Sequence, residues 1–319
     1  MNAVQPRYQP PVNFQSKDAE SYMGIGNPIE DYQPTVQIAD DCYFHVGSRT
    51  CFNLNSITGF IKYFLGKIQV KYSFERLQSE SCVIYDNYSS NYFHWFNDAL
   101  PKYFFLQEKG HEPLVLLTVT LKDNLFISDS LRLLKIKYCF LKSNVIVPVK
   151  KLLLPSYTSS QGVQHPIYFN QVANKLRRTF TDVPNRKIFI SRKHSPFRNL
   201  NPKKEVEEAL VNLGVEILSL EEFSFAEQID IFSECSHLIG VHGAGLTNMA
   251  FLPKGAKVME IRRDGPDANL CYFFMAHTLG LPYYYFLGES NNGYSRLQED
   301  NFQVNVSEFT AAVKQFIIN

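Results

Sequence analysis

The 319-residue chain is 45% hydrophobic and 14% aromatic, which is enough apolar surface for two packed domains of ordinary size. Its 32 basic and 31 acidic side chains leave a formal charge of +1, so no global field draws the chain to nucleic acid or to an anionic membrane. Any site that binds an anion must therefore be local.

Six cysteines lie far apart with no Cys-x-x-Cys pair, which argues against a zinc site and favours a reducing compartment. The first 20 residues have no apolar core, and no later run reaches about 18 apolar residues, the length of a membrane span. We therefore expect a cytoplasmic protein without a transmembrane segment, unless the sequence has been trimmed.

The first half alternates strand and helix patterns after an aperiodic start. Residues 1–34, rich in Pro, Gln, Asn and Tyr, predict an N-terminal arm, and residues 57–65 predict a short helix. Residues 35–182 then alternate apolar runs with amphipathic stretches, of which 124–135 is an example. That alternation predicts an α/β domain with a parallel sheet covered on both faces.

A pair of titratable side chains falls in the aromatic segment Asn91-Tyr-Phe-His-Trp-Phe-Asn-Asp-Ala-Leu-Pro101. If this segment is helical, His94 and Asp98 share one face and can form a hydrogen bond. A carboxylate that holds an imidazole in one tautomer makes it a better general base near neutral pH. The alternative is a histidine that only satisfies a buried acceptor, and the segment taken alone favours it, because most such pairs are incidental.

The second half repeats the alternation after a polar boundary at residues 181–185. Its predicted elements are a strand at 187–191, a helix from Asn201-Pro202 to Gly214, a strand at 215–218, a helix opened by a Ser224/Glu227 capping box, a helix at 267–279 and a strand at 283–287. We expect a second α/β domain over residues 183–305. A C-terminal helix over 306–319 is expected to pack back on the first domain.

A basic segment follows the first strand of this half. It holds seven Lys or Arg and no acid, at positions 186, 187, 192, 193, 198, 203 and 204. In an open parallel sheet, the loop with Arg192 and Arg198 emerges where ligands bind, and two guanidinium groups there can clamp a diphosphate. A solvated basic loop is the alternative, but the lack of any acid in the segment favours the functional interpretation.

Small residues follow the apolar run at 237–241, in the turn His242-Gly243-Ala244-Gly245. A turn that leads from a parallel strand into a helix leaves backbone N–H groups without partners and directs the positive end of the helix dipole at a ligand. Without side chains in the way, a phosphate can approach the backbone closely, and His242 adds a donor. Glu260, expected at the end of the next strand, suits the hydroxyls of a ribose. The stretch predicts a nucleotide site.

A plainer interpretation of the same turn stays open. Gly240, Gly243 and Gly245 do not follow Gly-x-Gly-x-x-Gly, and small residues after a strand often serve only to pack a helix on a sheet. The spacing does not choose between the two interpretations. Likewise, a lone glutamate at a strand end is more often a solvated terminus than a ribose ligand.

With these pieces in place, the chain resembles glycosyltransferase family 61. The resemblance rests on Asn91-Tyr-Phe-His94-Trp-Phe-Asn-Asp98-x-x-Pro101, on Ile190-Ser-Arg192 with Arg198 and Asn201, on Phe225-x-Glu227-Gln228, and on His242-Gly-Ala-Gly-Leu-Thr-Asn248 through Glu260. It implies a GT-B fold, in which two Rossmann-like domains face a cleft. It also implies a nucleotide-sugar donor held mainly by the C-terminal domain and transfer with inversion to an acceptor hydroxyl.

The resemblance also implies roles for single residues. Arg192 and His242 would contact the diphosphate and Glu260 the ribose, while His94 and Asp98 would face the cleft from the acceptor domain. The donor site expected from motif and turn together consists of Arg192, Arg198, His242, Gly243, Ala244, Gly245, Asn248 and Glu260. Because the proton of the attacking hydroxyl is released on the acceptor side, the pair His94 and Asp98 is the expected base.

No Asp-x-Asp pair, a common metal-binding motif of other glycosyltransferases, occurs in the chain. The negative charge of the leaving group is therefore expected to be stabilised by Arg192, Arg198, His242 and the helix dipole, with no metal and no cofactor. The donor is expected to be a UDP-sugar and the acceptor an oligosaccharide or lipid-linked glycan.

Among members of the family, the chain looks most like bacterial enzymes of capsular or surface polysaccharide synthesis. No nucleic acid is expected as a partner, and peripheral association with a membrane stays open. The alternative from another class is a non-catalytic nucleotide-sugar-binding or scaffold protein of a polysaccharide assembly complex. A serine hydrolase is disfavoured because the chain has no Gly-x-Ser-x-Gly.

Overall fold

The computed structural model describes residues 11–13, 32–52, 71–72, 75–160, 162–179, 183–263, 269–290 and 301–318. The predicted helix at 57–65 and most of the N-terminal arm lie outside the described residues. The described piece of the arm adds to a strand of the second half, since Val12 N–H donates to the carbonyl of Tyr283 over 2.9 Å.

Fourteen strands are described: β1 (Val36–His45), β2 (Thr50–Phe52), β3 (Lys71–Tyr72), β4 (Leu77–Cys82), β5 (Leu114–Thr118), β6 (Tyr138–Leu141), β7 (Val145–Pro155), β8 (Arg186–Ile190), β9 (Leu200–Asn201), β10 (Glu216–Leu218), β11 (Cys235–Val241), β12 (Lys257–Arg263), β13 (Tyr283–Ser290) and β14 (Phe302–Gln303). The longer described α-helices are α1 (Leu100–Glu108), α2 (Leu125–Leu133), α3 (Pro166–Leu176), α4 (Lys203–Asn212), α5 (Phe225–Ser233), α6 (Cys271–Thr278) and α7 (Val306–Ile318). The chain forms a mixed α/β structure with two sheets.

Two compact units divide the chain. The first unit comprises residues 32–159 and 167–175, and the second comprises 1–31, 160–166 and 176–319. Each unit contains one of the two sheets.

The sheet of the first unit has the order β2-β1-β7-β4-β5-β6, with β3 beside β7. Strands β7, β4, β5 and β6 are parallel, as the alternation of strands and helices predicted. Strand β1, however, runs antiparallel to β7, and β2 runs antiparallel to β1. The prediction of a parallel sheet is therefore wrong for the part of this sheet that contains β1 and β2. The antiparallel pair of β1 and β7 joins strands more than 100 residues apart in the chain, and no local sequence pattern predicts such a pairing.

The sheet of the second unit has the order β10-β8-β11-β12-β13-β14-β9, and its first five strands are parallel. Taken in chain order without the short β9, those five strands read 2-1-3-4-5, the order of a flavodoxin-like doubly wound sheet. In such a sheet the order in which strands are added reverses between strands 1 and 3, here β8 and β11. Ligands bind in the crevice at the carboxyl ends of these two strands. This topology is consistent with a Rossmann-like domain.

Helices α4 and α7 complete the core of the second unit. Buried Val206 and Leu210 of α4 pack with Phe309, Val313 and Phe316 of α7 in the cluster that also contains strand residues of β8, β11 and β12. The apolar face of α7 therefore packs in this core of the second unit, and the expected packing of the C-terminal helix on the first domain stays a prediction.

Local helix signals of the second unit are confirmed. Gly214 ends the α4 region with φ +72°, a left-handed conformation that suits glycine. The Ser224/Glu227 capping box is present, with Ser224 N–H donating to Glu227 Oε2 over 2.7 Å and Glu227 N–H donating to Ser224 Oγ over 3.3 Å.

No helix among the described residues is long and apolar enough to cross a bilayer. All six cysteines are free thiols, of which Cys42, Cys82, Cys235 and Cys271 are buried.

Candidate functional site

The two loops that were expected to share a ligand edge do lie side by side. Strands β8 and β11 are parallel neighbours, with Gly240 paired to Ile190. Arg192 follows the end of β8 by two residues, and His242 follows directly after β11. Both therefore lie at the point where the doubly wound order reverses, the usual ligand edge of this type of sheet.

The turn after β11 offers three backbone donors. His242 N–H donates to the carbonyl of Ile261 over 2.8 Å, which continues the ladder between β11 and β12. Among the described residues, no hydrogen bond takes up the N–H groups of Gly243, Ala244 or Gly245. The segment Ala244–Phe251 is a 3-10 helix. The start of this helix is suited to an anion, as predicted from the turn.

The glycines around the turn serve different purposes. A Cβ on Gly240 would lie 2.8 Å from Leu246 Cδ2, and one on Gly245 would lie 3.2 Å from side-chain carbons of Ile190 and Leu220. These two glycines permit apolar packing. A Cβ on Gly243 would instead lie 2.6 Å from Nη1 of Arg192. The packing interpretation therefore applies to Gly240 and Gly245, whereas Gly243 lies against Arg192, and its part in a nucleotide site stays a prediction.

Arg192 and Arg198 are held by neutral partners. Arg192 donates through Nε to the carbonyl of Phe197 over 2.9 Å and through Nη2 to Ser195 Oγ over 2.8 Å. Arg198 donates through Nη1 to the carbonyl of His242 over 2.8 Å. Across the described residues, neither guanidinium has a carboxylate oxygen within 4.0 Å.

Burial and mutual repulsion make the charged forms of Arg192 and Arg198 less favourable. Burial, followed by the charge of Arg198, lowers the pKa of Arg192 to about 10. Burial also lowers the pKa of Arg198. Two half-buried like charges that form no salt bridge are destabilising until an anion neutralises them, although the charge of Glu221 partly offsets this effect at Arg192. The arrangement therefore favours a bound anion beside Gly243.

Most other cations of the basic segment are neutralised by acids from elsewhere in the chain. Arg186 pairs with Glu216 and Glu234, Lys193 with Glu222, Lys203 with Glu207 and Lys204 with Glu208. The segment is therefore not a continuous positive patch, although it contains no acid of its own. Its charge is concentrated at the two arginines beside the turn.

A cavity opens beside the two arginines, and its polar lining includes Ser191, Arg192, Arg198, Asn199, Lys203 and Glu207.

His242 is fixed by Glu260, which the sequence had assigned to the end of a strand. Glu260 lies inside β12, opposite Gly240, and is 0% exposed. His242 Nδ1 lies 2.5 Å from Glu260 Oε1, and Tyr283 Oη donates to Glu260 Oε2 over 2.5 Å. The solvated terminus offered as the alternative is therefore wrong. The carboxylate takes up Nδ1 and leaves Nε2 of His242 for a ligand.

The ribose contact expected of Glu260 stays a prediction. In the structure both carboxylate oxygens already accept hydrogen bonds within the protein. Tyr283 was not identified from the sequence, because a tyrosine in an apolar strand carries no local signal of its partner.

Asn248 is fully buried beneath the turn. Its amide donates to the carbonyl of Gly245 over 3.0 Å and to Gln228 Oε1 over 3.3 Å. Gln228 in turn donates to the carbonyls of Leu220 and Phe223. This chain of amides holds the turn in place, while the direct role of Asn248 in donor binding stays a prediction.

In the first unit, the predicted contact between His94 and Asp98 is present. His94 Nδ1 lies 2.7 Å from Asp98 Oδ2, and Asn97 Nδ2 donates to Asp98 Oδ1 over 2.7 Å. The side chains of His94 and Asp98 are 26% and 12% exposed, so the imidazole remains accessible. With Nδ1 engaged by the carboxylate, Nε2 is the nitrogen that can take up a proton.

The backbone around this pair is not a regular α-helix. A turn of α-helix at Tyr92–His94 leads into a π-helix over Trp95–Ala99, and only then into α1. Pro101 explains the change, because it has no N–H to donate and its ring would press on the carbonyl four residues earlier in an α-helix. Single π-turns of this kind are frequent at functional sites.

Asp98 also sets the proton affinity of His94. The hydrogen bond that His94 donates to Asp98 raises the pKa of His94 above its usual value of 6.5, although partial burial opposes the rise. The neutral, proton-accepting imidazole is therefore the main form only at pH values above that raised pKa.

Comparison with known proteins places these residues in one family. The sequence pattern of the family described as Glycosyltransferase 61 matches residues 92–259, more than half of the chain. The chain belongs to glycosyltransferase family 61. The matched region contains His94, Asp98, Arg192 and the turn after His242, and it ends one residue before Glu260.

Similar curated proteins are EGF domain-specific O-linked N-acetylglucosamine transferases. The Drosophila melanogaster enzyme is 30% identical over 163 residues, which is 46% of this chain and 30% of the relative. The Bos taurus enzyme is 30% identical over 102 residues (30% and 19%), and the Xenopus laevis enzyme is 34% identical over 87 residues (27% and 16%). The matches thus span less than a third of the length of these relatives. Membership of family 61 supports a glycosyltransferase, which implies a sugar donor and a glycan acceptor.

Proposed function

We propose that this family 61 protein is an inverting glycosyltransferase that moves a sugar from a nucleoside diphosphate donor to a hydroxyl group of a glycan. The observation that carries the proposal is the turn Gly243 to Gly245, whose three N–H groups lie beside Arg192 at the switch point of the second sheet. We propose that the two units are the two domains of a GT-B fold.

The donor diphosphate binds at this turn. The three N–H groups and the helix dipole favour a negative group, and Arg192 and Arg198 add charge-assisted hydrogen bonds. His242 donates through Nε2, because Glu260 holds its other nitrogen. These groups stabilise the negative charge that develops on the leaving diphosphate, and we propose that no metal or cofactor takes part. Asn248 holds the turn, and the ribose contact of Glu260 remains part of the proposal.

The acceptor is activated by His94. As the acceptor oxygen attacks the anomeric carbon, its proton passes to Nε2 of the imidazole. The bond between the anomeric carbon and the diphosphate oxygen breaks on the opposite side, and the electron pair leaves with the diphosphate, so the configuration is inverted. Asp98 stabilises the imidazolium that forms, through its contact with Nδ1.

The substrate classes follow from the family and its similar members. We propose a UDP-sugar as donor, and UDP-N-acetylglucosamine is the first to test because the similar animal enzymes are named as N-acetylglucosamine transferases. For the acceptor we propose an oligosaccharide or lipid-linked glycan in cytoplasmic synthesis of surface or capsular polysaccharide, with peripheral association with the membrane.

A panel of nucleotide sugars, scored for sugar transfer and for slow hydrolysis by mass spectrometry, tests this function. Arg192→Ala should weaken binding of the productive nucleotide, because the variant removes a half-buried cation at the turn. Lys193→Ala is the matched control, since Lys193 is an exposed neighbour in an ion pair with Glu222. Nucleotide binding without transfer or hydrolysis for any donor would support the non-catalytic binding protein instead, and equal affinity in both variants would refute the donor site.

A further inference from the structure

A second group of polar and aromatic residues surrounds His94, at the carboxyl end of the first sheet. Asp86 follows β4 by four residues, and Tyr157 follows β7 by two residues. Strands β4 and β7 are parallel neighbours, so both residues lie at one edge of the sheet.

The Asp86 carboxylate organises this edge. Its Oδ1 accepts from Tyr88 N–H over 2.8 Å and from Ser89 Oγ over 3.0 Å, and its Oδ2 accepts from Tyr157 Oη over 2.6 Å. Burial works to raise the pKa of Asp86, but these hydrogen bonds outweigh it and lower the pKa. One ionised carboxylate therefore fixes the backbone beneath one tyrosine and the hydroxyl of another.

Both tyrosine rings are open to solvent. Tyr88 is 62% exposed, and its ring centroid lies 5.3 Å from that of His94 at an interplanar angle of 36°. Tyr157 is 41% exposed. Single exposed aromatic residues are common on protein surfaces, but two that are bound to the same carboxylate beside a reactive imidazole form a built surface.

Lys102 supports this surface from below. It is 5% exposed, and its ammonium lies 4.0 Å from the centroid of the Tyr157 ring. The contact is a cation–π interaction with one face of the ring. Its charge also faces the carboxylates of Asp86 and Asp98, which oppose the lowering of its pKa by burial. The positive charge of Lys102 partly offsets the negative charges of Asp86 and Asp98.

We propose that Tyr88 and Tyr157 form the acceptor subsite and that it binds a neutral pyranose ring. This inference rests on the proposed function. The C–H face of a pyranose is weakly positive and packs against the negative face of an aromatic ring. Its hydroxyl groups find an acceptor in Asp86 and in the hydroxyl of Tyr157. Tyr88, next to His94, then brings one hydroxyl within reach of the imidazole.

The chemistry of the edge selects a neutral sugar over other ligands. The carboxylates of Asp86 and Asp98 repel an anionic group. Of the two cations that act on this edge, Lys102 is buried against the ring of Tyr157, and Arg49 lies over the ring of Tyr85. A purely apolar ligand would leave the carboxylate of Asp86 without water on its open side, which costs free energy. An amphipathic sugar satisfies both the rings and the carboxylate.

Acceptor kinetics test the subsite once a productive donor is known. Tyr88→Ala should raise KM for the acceptor about threefold to tenfold, with little change in kcat or in donor KM, because one stacking contact is lost before the chemical step. Tyr88→Phe should restore most of the lost acceptor affinity. Leu125→Ala, which truncates a 67% exposed side chain of α2, should change neither constant. Unchanged acceptor KM in both Tyr88→Ala and Tyr157→Ala would overturn the proposal.

A binding measurement separates this inference from the proposed function. Saturation-transfer NMR with the methyl β-glycosides of glucose, galactose and N-acetylglucosamine detects sugar binding without any donor. A signal in the unmodified protein that is lost in Tyr88→Ala supports the subsite even if no transfer is found. The subsite is refuted if none of the three glycosides gives a signal and the tyrosine variants keep the wild-type acceptor KM. It is also refuted if none of the glycosides gives a signal and the protein shows no transfer at all.

Discussion

Two of the histidine–carboxylate pairs in the described part of the chain, one from each unit, are built differently. His94 and Asp98 lie four residues apart on one helical stretch, and both side chains keep some contact with solvent. His242 directly follows β11, whereas Glu260 lies inside the neighbouring parallel strand β12 and is completely buried. In the second pair the carboxylate is also held by Tyr283. The first pair can therefore exchange a proton and relax, whereas the second fixes an imidazole in one orientation.

The difference matches the two tasks of a glycosyltransferase. A general base must change its charge during the reaction, and an accessible carboxylate beside it tolerates that change. A ligand contact must present one nitrogen at a fixed place, and a buried carboxylate with two short hydrogen bonds provides this at the cost of desolvation. Each pair can be broken separately, so the comparison can be tested in both units.

The largest effect is expected from His94→Ala. Loss of a general base should slow transfer by roughly 10²–10⁴-fold. Nucleotide affinity should remain at the wild-type value, because the residue lies outside the second sheet. Single-turnover kinetics together with calorimetric titration of the nucleotide measure the two quantities. A transfer rate within threefold of wild type would exclude His94 as the base.

Glu260→Ala should reduce stability. The substitution leaves the hydroxyl of Tyr283 and Nδ1 of His242 without their acceptor, and each buried polar group that loses its partner costs about 1–3 kcal/mol in the free energy of unfolding. Urea denaturation measures the loss. Glu234→Ala is the control, since this acid forms a partly exposed pair with Arg186 and should contribute less than about 1 kcal/mol. Equal effects of the two substitutions would show that the buried pair is not special.

Two glycines of the turn allow a sharper test of the second pair's surroundings. Gly243→Ala places a methyl group against the Arg192 guanidinium, whose flexible end can move, so we expect about a tenfold loss of nucleotide affinity with little loss of stability. Gly245→Ala overpacks the contact with Ile190 and Leu220 and should instead cost about 1–3 kcal/mol of stability. Thermal unfolding with and without UDP separates the outcomes, and the reverse pattern would contradict the assignment of the two glycines.

The smallest effect concerns the pH dependence of transfer. Because the base must be neutral, activity falls as the pH drops through the pKa of His94, which Asp98 raises. Asp98→Asn removes that influence, so the acid limb of the kcat/KM profile should move to lower pH, while the maximal rate falls because the imidazole is no longer held in one tautomer. An acid limb that stays in place would mean that another group is the titrating base.

Several features were readable from the sequence because they depend on near neighbours. The contact between His94 and Asp98 follows from their spacing of four residues, and the capping box at Ser224 follows from a spacing of three. The alternation of strands and helices also predicted that the loop of Arg192 and the turn after β11 end at one edge of a sheet. The π-helical turn around His94 was not predicted, although Pro101 is the residue that accounts for it.

Other features were decided by the tertiary structure alone. Glu260 gains Tyr283 and His242 as partners because β12 and β13 pair in one register, and the acids that neutralise Arg186 and Lys193 come from distant parts of the chain. The link between Asp86 and Tyr157 spans 71 residues. Hydrogen bonds within a turn of helix are set by local spacing, whereas contacts across strands depend on which strands become neighbours. Only the folded sheet makes that choice, which is why candidate residues could be predicted from the sequence, whereas their partners are known only from the structure.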